Sequence, residues 1–520
     1  RDRVGIRPLF YTRAGDTLVF SSEIKSLFCH PQVTPRLDPV ALDQIFTFWT
    51  TLTPRTAFEN VYEIPPAHYL IARRGDITIS RYWDYPFPPA DTCFTGTEEG
   101  YALQLRELLI DATRLQLRAD VPVGAYLSGG LDSSIVTALI RHFSDAPLKT
   151  FSVRFADETY DESPFQEEMV RHLRTDHREV VVDYQAIAEA FPKVIWHTEK
   201  PIVRTAPTPL MLLSQMVREN GIKVVLTGEG SDEILAGYDL FKEAKIRRFW
   251  ARFPDSRLRP LLLQRLYPYL AHSPARAKFY LEAFFGEGLS EASASYFSHI
   301  PRWNTTSKIK LFYSEAMKEA TSTCNHLAEL EASLPEDFSR WHPLSQAQYL
   351  ESTILLPTYL LSSQGDRMAM ANAVEGRFPY LDHRVVELAC QIPPHLKLKV
   401  LKEKYILRKS MEDLLPPPIL HRHKQPYLAP DSQSFFGGKI PDYVEDLLSP
   451  EQIRDSGYFQ PGAVSRLVEK CRKGQAIGFK DNMALVGILS TQLLDSQFLG
   501  DIRSRLPQHL ENVRVFEGKW

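Results

Sequence analysis

Alternating apolar and polar positions open the chain. Residues 8–24, PLFYTRAGDTLVFSSEI, place two β-rich runs on either side of Ala14-Gly15-Asp16, which predicts a hairpin. HYLIARR at 68–74 and ITISRYW at 77–83 repeat the signal around Gly75-Asp76. YPFPPADTCFTGTEEG, residues 85–100, has three prolines and no period, so it reads as a linker. Beyond it the period changes. ALQLRELLIDATRLQLR carries apolar residues at helical spacing, VPVGAYL is a short buried-strand pattern, and LDSSIVTALIRHF is helical again. LKTFSVRF and IKVVLTG add two strands, each followed by loop and helix, and this alternation predicts a parallel α/β sheet. After Tyr238 the pattern is almost entirely helical. Three parts are expected: a β-rich front over 1–84, a linker over 85–100, and an α/β unit with a helical C-terminal part over 101–520.

Composition acts mainly by exclusion. A chain of 520 residues, 44% hydrophobic and 24% charged, exceeds what one compact core organises. The net charge of -3 supplies no global positive field for nucleic acid or an anionic membrane. Five scattered cysteines form neither a CxxC pair nor a dense disulfide framework, so a reducing cytoplasm is the expected location. No apolar stretch approaches the roughly 20 residues of a membrane span. The opening RDRVGIRPLFYT enters strand-like sequence directly from Arg1, the expectation for a chain whose front is missing.

Two loops carry the candidate chemistry. Ser128, Gly129, Gly130, Leu131, Asp132, Ser133 and Ser134 follow a strand and open a helix, where unpaired N–H groups attract an anion. Glycines let the backbone close round a phosphate, serine hydroxyls donate to its oxygens, and Asp132 suits a magnesium ion bridging them. The bland reading is a capped helix after a glycine turn. Neither a Walker A signature nor GxGxxG is present. The second loop, Thr227-Gly228-Glu229-Gly230-Ser231-Asp232-Glu233, also follows a strand and opens a helix, so both loops should face one pocket. Three acids within five residues repel unless a cation offsets them, which makes Asp232 the second magnesium ligand. Glu229, flanked by glycines, suits a general base or a proton relay.

SGGLDSS at 128–134, GEGSDE at 228–233, DRMAMANAVEGRFPYLDHRVVELA at 366–389 and KYILRKS at 404–410 together resemble the asparagine synthetase family, nearly end to end. The resemblance implies a synthetase domain of the adenine-nucleotide α-hydrolase fold, a PP-loop ATP-pyrophosphatase. It also implies adenylation of the aspartate side chain by ATP and magnesium, followed by attack of ammonia to give asparagine and AMP. Backbone contacts to the nucleotide are implied at Leu127, Val153 and Gly228. A bound aspartate needs a cation for its carboxylate and an acid for its ammonium, and Asp366, Arg367, Glu375 and Arg377 supply both signs. The resemblance favours Asp366 for the ammonium and leaves the arginine open. Lys404 resembles a lysine that neutralises the departing pyrophosphate or the tetrahedral intermediate; Lys402 is the neighbouring alternative. His421, Arg422, His423 and Lys424 could form a phosphate patch or a metal site, but a solvated basic turn is the favoured reading.

The front resembles the later part of a class II glutamine amidotransferase, an N-terminal-nucleophile αββα sandwich. That family uses a cysteine as the first residue of the mature protein; Cys29 and Cys93 are internal and cannot replace it. Residues 1–84 are therefore expected not to hydrolyse glutamine and to be poorly stable alone. The resemblance further implies glutamine as the usual ammonia source and a homodimer through the amidotransferase region. The rival readings are a β-lactam synthetase or related amidotransferase with another carboxylate acceptor, a tRNA-modifying PP-loop enzyme, and a non-catalytic relative. Near-neutral charge and the absent CxxC disfavour tRNA.

Overall fold

The computed structural model describes residues 1–73, 75–143, 148–267, 278–476, 478–500 and 502–505, so the end of the expected 101–520 unit lies outside the described residues. Strands β1 (Phe10–Ala14) and β2 (Thr17–Ser21) form the first hairpin, with Ala14 facing Thr17 across the Gly15-Asp16 turn. β3 (Val61–Glu63) pairs antiparallel with β1 to complete a three-stranded sheet. β4 (His68–Arg73) and β5 (Asp76–Arg81) form the second hairpin. Both turns lie where glycine and aspartate interrupt the alternation.

This front segment shares its core with the far end of the chain. Phe28 and Phe58 pack on Phe498 with ring centroids 6.5 and 5.4 Å apart, and Phe46 from the helix Pro39–Phe48 meets Tyr313 and Phe459. Large buried aromatic rings dominate core energetics, so these contacts anchor the front sheet to the rest of the fold. The first residues of the stretch 85–100 form a packed strap. Tyr85 and Phe87 are buried against Tyr349 and Trp341, with centroids 5.9 and 5.4 Å apart. The following helix already starts at Glu98, capped by Thr97. Prolines and the lack of a period announce irregular backbone, but they do not reveal which rings turn inward.

The second sheet is entirely parallel. Its strands are β6 (Val123–Tyr126), β7 (Lys149–Phe155), β8 (Asp176–Val182), β9 (Val224–Leu226) and β10 (Glu375–Arg377), in the order β10-β9-β6-β7-β8. On one face Ala125 and Leu127 pack with Ile135 and Leu139; on the other Phe151, Val153 and Val225 pack with Leu213 and Val217. Coverage of both faces is the condition for a parallel sheet. Strand order reverses at β6, which opens a crevice at the carboxyl ends of β6 and β9, where the two acidic loops begin.

The sequence reading lacked β8 and β10. β8 is an edge strand with several exposed positions, and β10 is three residues long, too short to show a period. β10 also corrects the almost wholly helical reading after Tyr238. It follows a π-helical stretch, Glu351–Asp366, that carries Pro357 inside it. Among the described residues, no helix is long and apolar enough to cross a membrane.

Candidate active site

The loop after β6 turns back on itself through serine. Ser133 Oγ accepts from the Ser128 amide at 3.2 Å and lies 3.0 Å from Ser128 Oγ, while Ser128 Oγ accepts from the Gly130 amide at 3.3 Å. Ser134 is buried at the start of the helix, its Oγ without a hydrogen-bond partner. Leu127 donates its amide to the Phe151 carbonyl at 2.9 Å, and the Val153 carbonyl accepts from Gln166 at 3.0 Å, so both positions are fixed in the sheet.

The loop after β9 closes onto the first at Gly228. A Cβ there would lie 2.8 Å from the Ser133 amide nitrogen and 2.9 Å from Asp132 Cβ, so any side chain would push the loops apart. Gly230, in the left-handed region, starts the short helix Ser231–Ile234. Ser231 Oγ donates to Asp132 Oδ1 at 2.9 Å, which ties the two loops together.

Asp132 and Asp232 converge on one ammonium. Lys404 Nζ is 2.6 Å from Asp132 and 2.5 Å from Asp232. Lys424 Nζ is 2.6 Å from Asp232 and 3.9 Å from Asp132. Burial alone would raise the Asp232 carboxyl, but the two ammonium groups hold it at about 2. Burial correspondingly opposes charge on Lys424, and the two aspartates override it and raise its pKa. Lys404 occupies the left-handed region at φ 50°, uncommon for a non-glycine residue, and a Cβ at Gly237 would lie 2.1 Å from its Cε. Lys402 is exposed, near the Tyr405 ring. The geometry therefore separates the two lysines.

Arg422 and Lys424 correct the solvated-turn reading. Arg422 donates to the Gly129 carbonyl at 3.1 Å, pairs with Glu162 and stacks on Phe165, its guanidinium 3.8 Å from the ring centre. Together with Leu131, Asp132, Lys404 and His423, these two cations line a small cleft. The available signal was their position soon after Lys404; the sequence alone gives no direction in which the turn folds.

Glu229 stands beside this cluster. It accepts a hydrogen bond from the Thr227 hydroxyl, and desolvation, reinforced by the Asp132 charge, pushes its carboxyl up to about 7. A carboxyl poised there can accept a proton near neutral pH. Glu233 is buried with one oxygen bonded by Tyr238 at 2.7 Å, and burial raises it to about 8. A magnesium ion characteristically takes one or two carboxylates and completes its shell with phosphate and water oxygens. Asp132 and Asp232 offer two carboxylates at the meeting loop ends; among the described residues no group of three or more His, Cys, Asp or Glu side chains is gathered.

The four residues assigned to the acceptor are divided. Asp366 is paired with Arg7 from the front segment, which also donates to the Gly376 carbonyl at 3.0 Å and lies 3.6 Å from Glu375. Arg377 bonds Glu375 at 2.9 Å and the carbonyls of Gln116 and Arg118 at 2.6 and 2.8 Å. Arg367 is buried elsewhere, 2.5 Å from Glu199, whose other oxygen is 3.2 Å from Lys25. The structure brings Asp366, Glu375 and Arg377 to the β10 edge and does not bring Arg367 there.

Two acidic glycine loops meet at the switch point of the parallel sheet, with two lysines paired to their aspartates. Residues 104–496 match the asparagine synthase model, and residues 1–83 match a glutamine amidotransferase domain. The chain belongs to the asparagine synthase family. It is 32% identical over 502 residues to amidase chyE of Penicillium rubens, covering 90% of this chain and 73% of that protein. It is 29% identical over 472 residues to asparagine synthetase [glutamine-hydrolyzing] 1 of Bacillus subtilis, covering 90% and 71%. Amidase chry2 of Gibberella zeae is 29% identical over 500 residues, covering 88% and 71%.

Proposed function

We propose that the chain is an ATP-dependent ligase that converts a carboxylic acid to its amide through an acyl-adenylate. The observation that carries this reading is the Asp132–Lys404–Asp232–Lys424 cluster at the meeting point of both loops. ATP binds with its phosphates along the Ser128–Ser134 turn. A magnesium ion held by Asp132 and Asp232 would supply charge neutralisation between phosphate oxygens. The acceptor carboxylate oxygen attacks the α-phosphorus and pyrophosphate leaves. Lys404, Lys424 and Arg422 offset the charge on that leaving group. Ammonia then attacks the acyl carbon, AMP departs, and Glu229 takes the proton released from nitrogen. The amidotransferase match supports glutamine as the ammonia source.

Aspartate as acceptor rests on the names of the synthetase relatives. The amidase names specify no acceptor. The test is release of AMP and pyrophosphate from ATP with magnesium, ammonium and a panel of carboxylic acids. Acid-dependent formation of both products is expected; ADP and phosphate in their place would overturn the reading. Ammonium as nitrogen source keeps the assay independent of glutamine hydrolysis.

A further inference from the structure

The turn that brings Arg422 and Lys424 to the cleft has no hydrogen-bonded ladder of its own. Residues 421–430 form neither helix nor strand, yet Arg422 reaches the Gly129 carbonyl and Lys424 reaches Asp232. Two buried residues from the neighbouring segment, Glu403 and Arg408, hold the turn in place.

Arg408, on the short helix Tyr405–Ser410, uses all three of its nitrogens. Nε donates to the Glu403 carbonyl at 3.2 Å and Nη1 to the Leu420 carbonyl, while Nη2 donates to Glu403 Oε1 and to the Arg422 carbonyl, each at 3.0 Å. The same Glu403 oxygen accepts the Lys424 amide at 3.3 Å. Its other oxygen is 3.0 Å from Lys242 Nζ, which also pairs with Asp239 at 2.9 Å. One buried ion pair thus fixes the backbone at Leu420, Arg422 and Lys424, every second residue of the turn. A planar guanidinium presents its donors in a rigid fork, which an ammonium cannot reproduce. Glu403 directly precedes Lys404, so a single segment supplies one cation of the cleft and anchors the backbone of the other two. Lys404, Arg408, Arg422 and Lys424 line that cleft together with Asp132 and Glu403.

We propose that Glu403 and Arg408 are positioning residues for the departure of pyrophosphate, acting through Arg422 and Lys424. They set the turn so that both cations stand beside Lys404 before the reaction begins, and the three form one preorganised seat for inorganic pyrophosphate. The inference rests on the ligase reading and adds the residues that build its leaving-group site. The chemistry is unchanged: the carboxylate oxygen bonds to the α-phosphorus as the bond to pyrophosphate breaks, and the electron pair leaves with pyrophosphate. Neither Glu403 nor Arg408 exchanges a proton. Cations held in advance need no reorganisation when that charge develops, so loosening them should act on turnover and on pyrophosphate more than on the rest of the nucleotide.

The experiment measures binding of inorganic pyrophosphate and of AMP, each with magnesium, to the full chain by calorimetry. Arg408→Lys, which keeps the charge and removes the fork, should raise the Kd for pyrophosphate about tenfold or more and leave that for AMP within about twofold. With a turned-over acid, kcat for pyrophosphate release should fall about tenfold while the KM for the acid stays within about threefold. Because Arg408 acts through the turn, the double variant with Lys424→Ala should lose at least about threefold less pyrophosphate affinity than the product of the two single losses. Glu403→Gln, which keeps the shape and an acceptor oxygen, should weaken pyrophosphate about threefold by the same measure. Pyrophosphate and AMP weakened together, pyrophosphate unaffected, or fully multiplicative losses would make the pair merely structural and overturn the inference, with the ligase left standing. ADP and phosphate as products of the unmodified chain would overturn both. If Arg408→Lys fails to fold, Glu403→Gln and its double variant with Lys424→Ala decide by the same outcomes.

Discussion

Two buried charge clusters in this molecule use the same residue types and do different work. At Glu199 every bond closes inward. Its carboxylate accepts the amides of Ile24 and Lys25 at 2.8 Å each and pairs with Lys25 and Arg367. The cluster at Asp132 and Asp232 stands at two loop ends, with Gly228 and Gly237 clearing room and a strained lysine backbone at its centre. It opens on a cleft lined by further cations. The ion pairs at Glu199 join the front of the fold to the back; on the proposed reading, those at the strand ends share their cations with phosphate. Burial of charge alone therefore does not mark function; at Asp132 and Asp232 the missing side chains of Gly228 and Gly237 are what let the two loops and Lys404 approach so closely.

The sharpest way to break this comparison is Lys404→Ala. Pyrophosphate release should fall about 10³-fold, the scale of losing a charge that meets the transition state, whereas Lys402→Ala should change it less than about twofold. Equal losses would erase the distinction drawn between the two lysines. Next is Glu229→Gln, with an expected loss of about 10²-fold. Because the Glu229 carboxyl is raised to about 7 and the ionised form is the base, turnover should climb as pH passes through about 7 and then level. The Gln variant should lose that climb; a retained climb would move the base elsewhere. The smallest effect on turnover belongs to Arg367→Met, expected within about threefold of the unmodified chain. Its stability should fall by about 3 kcal/mol or more, since Glu199 is left buried with less compensation. Thermal unfolding followed beside turnover checks this, and a collapse of turnover in a stable variant would return Arg367 to the acceptor site.

Much of the fold was legible because hairpin turns and parallel strands carry strong local signals. Gly15-Asp16 and Gly75-Asp76 sit inside clear alternation, and the loops after β6 and β9 announce themselves through glycine beside acid. Long-range placement was not legible. Nothing local distinguishes Arg367, which turns to Glu199, from Arg377, two residues beyond Glu375 on the same strand. Charge in a turn reads as solvated until the backbone is known to fold inward, which is why the phosphate-patch reading of Arg422 and Lys424 ranked second. The strap residues Tyr85 and Phe87 were hidden for the same reason, since ring packing between distant segments leaves no period.

The central claim is that the acceptor's carboxylate attacks the α-phosphorus of ATP. It is tested most directly by labelling both carboxylate oxygens of a turned-over acid with oxygen-18 and analysing the nucleotide product by mass spectrometry. An acyl-adenylate requires one labelled oxygen in AMP and none in pyrophosphate. Label in inorganic phosphate with ADP as the nucleotide product would mean attack at the γ-phosphorus, and would contradict the account.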